Sequence, residues 1–105
     1  MQTFRLKRGD TSPALRFALS PATVNLAGAT VVFNMRSVGG VPVISRAAAS
    51  IVTSSPPVVE YIWTAEDTAA PGLFQAEFEV TYTDGAVETF PNDGNITVQI
   101  SGDLG

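Results

Sequence analysis

The sequence predicts an all-β protein, a β-sandwich or small barrel of seven to eight short strands. Apolar and polar residues alternate in run after run, which puts one face of a strand inward and the other in water. The runs recur at intervals of about ten residues with Gly, Pro, Asn and Asp between them. Helical periodicity is almost absent. With 105 residues the chain has the size of one domain, assigned to residues 1–105.

Thr3 to Arg8 sets Phe4 and Leu6 against Arg5 and Lys7, a first strand with a basic outer face. Gly9 to Pro13 is turn chemistry, with Asp10 suited to accept local backbone N–H groups. Leu15, Phe17 and Leu19 alternate with Arg16 and Ala18 in a second strand, and Ser20 to Ala29 reads as a loop. Thr30 to Arg36 is a third strand with Val31, Phe33 and Met35 on one face. Ser37 to Pro42 connects it to residues 43–51, where two readings stay open. Ala47 to Ala49 has helix propensity, while the β-branched neighbours favour a strand.

Val58 to Trp63 is apolar on both faces, as a central strand would be. Thr64 and Asp67 have the spacing of a helix N-terminus, and Pro71-Gly72 leaves room for one turn. From Phe74 to Tyr82 every second residue is apolar, and Asp84-Gly85 then turns the chain into a returning strand that ends at Phe90. Two registers are available. A two-residue turn sets Val87 on the core face and Phe90 outside; a three-residue turn with a bulge at Gly85 brings Phe90 and Glu88 inward. Pro91 to Asn95 is another turn, and Ile96 to Ile100 a final alternating strand. Leu15, Phe17, Phe33, Trp63, Phe78 and Val80 form the expected core.

Cysteine and histidine are both absent, which removes disulfides, thiolate metal sites and the usual neutral-pH proton shuttle. No run of 18 apolar residues predicts a membrane span, and Met1 to Arg5 lacks the apolar segment of a secretory signal. The net charge of −4 argues against nucleic acid as a partner. Its distribution is uneven. All six cations lie in the first 46 residues with Asp10 as the one anion, about +5, and the other nine anions lie between Glu60 and Asp103, −9. Either strands from the two halves neutralise each other within one molecule, or a basic face meets an acidic face on a neighbour. In the second case Arg5 and Lys7 on the first strand and Glu77 and Glu79 on the hairpin are the interaction residues, provided that their strands belong to different sheets.

No catalytic constellation emerges. A Ser or Thr nucleophile lacks an activating His, and Lys7, the sole lysine, sits beside Arg8. Glu66 and Asp67 suit a cap, and Glu77 and Glu79 a solvated stripe. Asn92, Asp93 and Asn95 offer oxygen ligands of the kind hard cations take, but the same residues are ordinary turn formers. Gly39-Gly40 has no strand-to-helix context for phosphate, and Tyr61 and Trp63 read as core rather than as a sugar platform. The expectation is a non-enzyme with no catalytic, cofactor-binding or metal-binding residue.

An ordered series of segments carries a resemblance: Phe4 to Pro13, Leu26 to Phe33, Tyr61 to Thr68, Gly72 to Val80, then Asp84-Gly85 with Glu88 to Pro91. Together they resemble the N-terminal domain of tailed-phage baseplate upper proteins, a family also met as small stand-alone phage proteins. The resemblance implies an immunoglobulin-like antiparallel β-sandwich serving as a virion structural module, a baseplate- or tail-associated adaptor. It further implies virion proteins (tail hub, baseplate or capsid) as partners, assembly in multiple copies in the host cytoplasm, and neither nucleic acid nor membrane as partner. A capsid decoration (cement) protein is the alternative within that class. A carbohydrate-binding β-sandwich module is the alternative outside it, and needs Tyr61, Trp63 and Tyr82 facing solvent. A looser likeness adds to the sandwich: Asp67 to Phe74 resembles the immunoglobulin approach to strand F, with Phe74 near the place of a corner tyrosine but without its hydroxyl.

Overall fold

Nine strands realise the alternation seen in the sequence, in a computed structural model that describes residues 3–102. They are β1 (Thr3–Lys7), β2 (Leu15–Ala18), β3 (Thr30–Ser37), β4 (Pro42–Ala48), β5 (Ser50–Thr53), β6 (Val58–Tyr61), β7 (Gly72–Thr81), β8 (Val87–Phe90) and β9 (Ile96–Ser101). One sheet has the order β1-β9-β7-β3-β4, with β8 also paired to β7; the other has the order β2-β6-β5. This is an all-β, immunoglobulin-like sandwich. It is not wholly antiparallel: β1 runs parallel to β9, while the other pairings among the described residues are antiparallel. Asp103, counted above among the anions, lies outside the described residues.

The core sits between the inward rows of the two sheets. Phe33 is fully buried and stacks on Tyr61 with ring centroids 4.3 Å apart. Trp63 meets it edge-on at 5.7 Å, and Phe78 lies at 5.0 Å on its other side. Leu15, Phe33, Trp63, Phe78 and Val80 are buried as the alternation demands, whereas Phe17 is half-buried. It belongs to β2, an edge strand of the smaller sheet, and keeps one side open while stacking on Phe78 at 6.1 Å. β6 is the centre of that sheet, as its two apolar faces required.

The alanine-rich segment is strand on both sides of Ala49. β4 ends at Ala48 in one sheet, the Ala49 N–H donates to the Val31 carbonyl at 3.0 Å, and β5 begins at Ser50 in the other. Small side chains let the chain cross between layers here, and pairing with β3 and β6 overrides local helix preference. The Thr64–Asp67 cap forms without its helix. The Thr64 N–H donates to Asp67 Oδ2 at 2.8 Å and the Asp67 N–H to Thr64 Oγ1 at 3.3 Å, yet the segment is a single turn before Pro71. The reciprocal bonds satisfy the turn's own donors, and too few residues follow for a helix to propagate.

The long hairpin takes the bulged register. Phe78 pairs with Phe90 and Val80 with Glu88, the Tyr82 N–H donates to the Ala86 carbonyl, and Gly85 takes φ 88°. Phe90 is therefore fully buried and Val87 is 58% exposed. Glu88 follows Phe90 inward, where the Tyr82 hydroxyl donates to its carboxylate at 2.8 Å.

Candidate functional site

β1 and β7 belong to one sheet with β9 between them, so Arg5, Lys7, Glu77 and Glu79 share its outer face. The expectation of two sheets with opposed charged faces is corrected. Alternation on β1 and β7 turns both sets outward from one layer of backbone. Part of the split charge is neutralised inside the molecule. Arg16 pairs with Glu60 across β2 and β6 at 2.9 Å, and Arg46 pairs with Glu79. The side chains of Arg5, Lys7 and Glu77 have no ion-pair partner among the described residues.

Arg46 owes its position to a bulge. Ser45 and Arg46 together oppose Asn34 of β3, Arg46 has φ 50°, and its N–H donates to Asn34 Oδ1 at 2.7 Å. This kink, with Pro42 at the start of β4, blunts one edge of the large sheet.

Three of the seven exposed large apolar residues among those described gather at one end of the large sheet. Val38, Val41 and Leu73 are 60%, 64% and 52% exposed. The Val38 N–H donates to the Leu73 carbonyl at 3.1 Å, and the Ser37 N–H to the Val41 carbonyl at 2.8 Å, which holds the β3–β4 turn against the start of β7. In strand register Arg5 lies across Gln99 from Leu73, and Arg36 faces Gln75, two residues along β7. A small apolar patch thus has arginines beside it. Residue order does not place Leu73 in this patch, because only the β3–β7 register brings it beside Val38. At the other end of β7, Val87 stands exposed next to the turn that carries Asp84.

A hollow of about 230 Å³ opens where β4, β3 and β7 run side by side, lined by Asn34, Arg36, Pro42, Ser45, Gln75, Glu77 and Asn95, with Met35, Ile44 and Ala76 contributing to its wall. Strand alternation gave no warning of it, since it joins residues that are far apart in sequence.

The remaining candidates are structural. Tyr61 and Trp63 are buried and Tyr82 is half-buried, so no aromatic platform faces solvent among them. Tyr61 donates its hydroxyl to Asp67 Oδ2 at 2.7 Å. Burial, and then the neighbouring carboxylate, push its ionisation far above the ordinary phenol value. Trp63 Nε1 is buried without a hydrogen-bond partner. Asn92 donates to Glu88 Oε2 and to the Thr89 carbonyl, which fastens the turn weighed above as an oxygen-ligand set. Among the described residues no group of three or more His, Cys, Asp or Glu converges as metal ligands would.

No protein-family model matches the chain, and no curated protein matches it. Among solved structures it resembles CopC from Methylosinus trichosporium OB3b, at 12% identity and TM-score 0.58, over 100% of this chain and 89% of that one. The likeness is one of fold. It corrects the virion expectation: the solved structure matched end to end is CopC, and nothing in the comparisons points to a baseplate, tail or capsid role. The baseplate- or tail-adaptor reading and the capsid-decoration alternative do not stand. The segments that carried the phage resemblance are strand-and-turn grammar that any such sandwich uses. The carbohydrate-binding alternative falls with them, and for a physical reason as well: the aromatics it required lie in or against the core.

Proposed function

We propose that the chain is a non-enzymatic interaction module that assembles end to end in multiple copies. The observation that carries this reading is the exposed trio Val38, Val41 and Leu73 at one end of the large sheet, with Arg5 and Arg36 beside it. Clustered apolar side chains that the fold leaves in water mark contact surfaces more often than scattered ones do. The far end of the same sheet offers Val87 and the carboxylate of Asp84, so one end of a copy complements the other end of the next. The molecule is elongated, 47 × 25 × 22 Å, and such contacts join unlike surfaces along its length. Apolar burial supplies the affinity; the charges set orientation and salt sensitivity.

Sedimentation velocity tests the reading. The wild-type chain should show larger species as concentration rises, and fewer of them as salt rises. Val38→Asp with Leu73→Asp should stay monomeric at every concentration with an unchanged melting temperature. A wild-type chain that is monomeric throughout overturns the proposal, as does a double variant that associates like the wild type.

A further inference from the structure

The outer face of the large sheet holds a pair of opposite charges that have not neutralised each other. In the β3–β7 register Arg36 faces Gln75 and Asn34 faces Glu77, so Arg36 and Glu77 are diagonal neighbours, about 7–8 Å apart at the backbone. Each is within reach of the other, yet neither side chain has an ion-pair or hydrogen-bond partner among the described residues. Both line the hollow of about 230 Å³, together with Asn34, Ser45, Gln75 and Asn95. Asn34 Oδ1 is taken by the Arg46 N–H, which leaves the Asn34 amide NH₂ free to donate.

We infer that this hollow binds a small zwitterion of the α-amino-acid class. The ligand's carboxylate meets the Arg36 guanidinium, whose planar fork matches two carboxylate oxygens. Its ammonium meets the Glu77 carboxylate. The amides of Asn34, Gln75 and Asn95 and the Ser45 hydroxyl remain for the ligand's side chain, which favours an uncharged polar one. Other ligand classes fit worse. An anion alone leaves Glu77 facing like charge, and a cation alone does the same to Arg36. A neutral ligand displaces water from both charges and compensates neither. A metal ion finds a single carboxylate in the hollow, opposite an arginine. The site shares Arg36 with the end proposed above for self-association, but it rests on the hollow rather than on that contact and stands if that contact fails.

The probe is L-glutamine, titrated into the isotope-labelled full chain and followed by amide chemical shifts. Saturable changes should centre on residues 34–36, 75–77 and 95, with a dissociation constant of about 1 mM. N-acetyl-L-glutamine, which lacks the ammonium, and L-glutamine amide, which lacks the carboxylate, should each bind about tenfold more weakly. Arg36→Gln and Glu77→Gln should each lose about tenfold in affinity for L-glutamine while melting as the wild type does. The inference is overturned if shifts fail to saturate by about 20 mM, if they map elsewhere, or if either capped analogue binds as well as the parent.

Discussion

The Tyr61 hydroxyl and the Asp67 carboxylate meet at 2.7 Å, tying the central strand of the small sheet to the turn that leads back to the large one. In an immunoglobulin corner a tyrosine just ahead of strand F makes a comparable bond; here Phe74 cannot, and Tyr61 approaches from β6 instead. Asp67 Oδ2 also accepts the Thr64 N–H, so one oxygen holds both strand and turn. Tyr61→Phe should lower stability by about 1 kcal/mol, and Asp67→Ala by about 1–3 kcal/mol, because the latter also leaves a buried hydroxyl unpaired. A double-mutant cycle by urea denaturation checks this, and the two losses should fall short of additive.

Alkaline pH should unfold the protein through the same side chains. Burial, with the Glu88 hydrogen bond and charge behind it, raises Tyr82 from 10.0 to about 12, and Tyr61 is raised further still. A phenol that loses its proton less readily in the folded state stabilises fully below its unfolded value. That stabilisation drains away as pH rises from about 10 through the folded value. Thermal melts should therefore be flat with respect to these groups at neutral pH and fall steeply above pH ~10. Tyr61→Phe should lessen the fall; an equally steep fall in the variant would contradict the assignment.

Truncating Phe78 to Ala should cost about 3–5 kcal/mol, a large share of what a small domain has. Its side chain is fully buried, with ring contacts to both Phe33 and Phe17. Phe17→Ala should cost less, since that side chain is only partly buried at an edge strand. Chemical denaturation of the two variants side by side settles the order.

The hairpin turn separates backbone cost from crowding. Gly85 has φ 88° with open space where a Cβ would stand, so Gly85→Ala should cost about 1–2 kcal/mol from the left-handed conformation alone. Gly28, at φ 75°, would set its Cβ 2.6 Å from Thr83 Cγ2. Gly28→Ala should therefore cost more than Gly85→Ala, and Thr83→Ser should recover part of the difference.

These contrasts show what could be read from residue order. The alternation of Phe74 to Tyr82, Phe33 among the β-branched residues of β3, and Leu15 all point inward because a strand's period of two is a local property. The hairpin register was legible only as two alternatives. Asp84-Gly85 fits either turn length, and the burial of Phe90 decides it through contacts with distant strands. The place of β1 was hidden for the same reason: nothing in Thr3 to Lys7 says that it pairs, in parallel, with the last strand. That pairing put Arg5 and Lys7 on the same face as Glu77, and so overturned the expectation of opposed charged faces. Val38 and Val41 lie in a connection that residue order marks, but Leu73, Arg36 and Gln75 acquire their meaning from the β3–β7 register alone.

End-to-end assembly is tested most directly by blocking one end at a time and then mixing. Val38→Asp with Leu73→Asp disables one end and leaves Val87 and Asp84 intact; Val87→Asp does the reverse. Each variant alone should retain a single working end and sediment as a monomer. An equimolar mixture should form heterodimers and nothing larger, because each good end finds one partner and the chain then stops. A mixture that remains monomeric, or a Val87→Asp variant that self-associates like the wild type, would contradict the account.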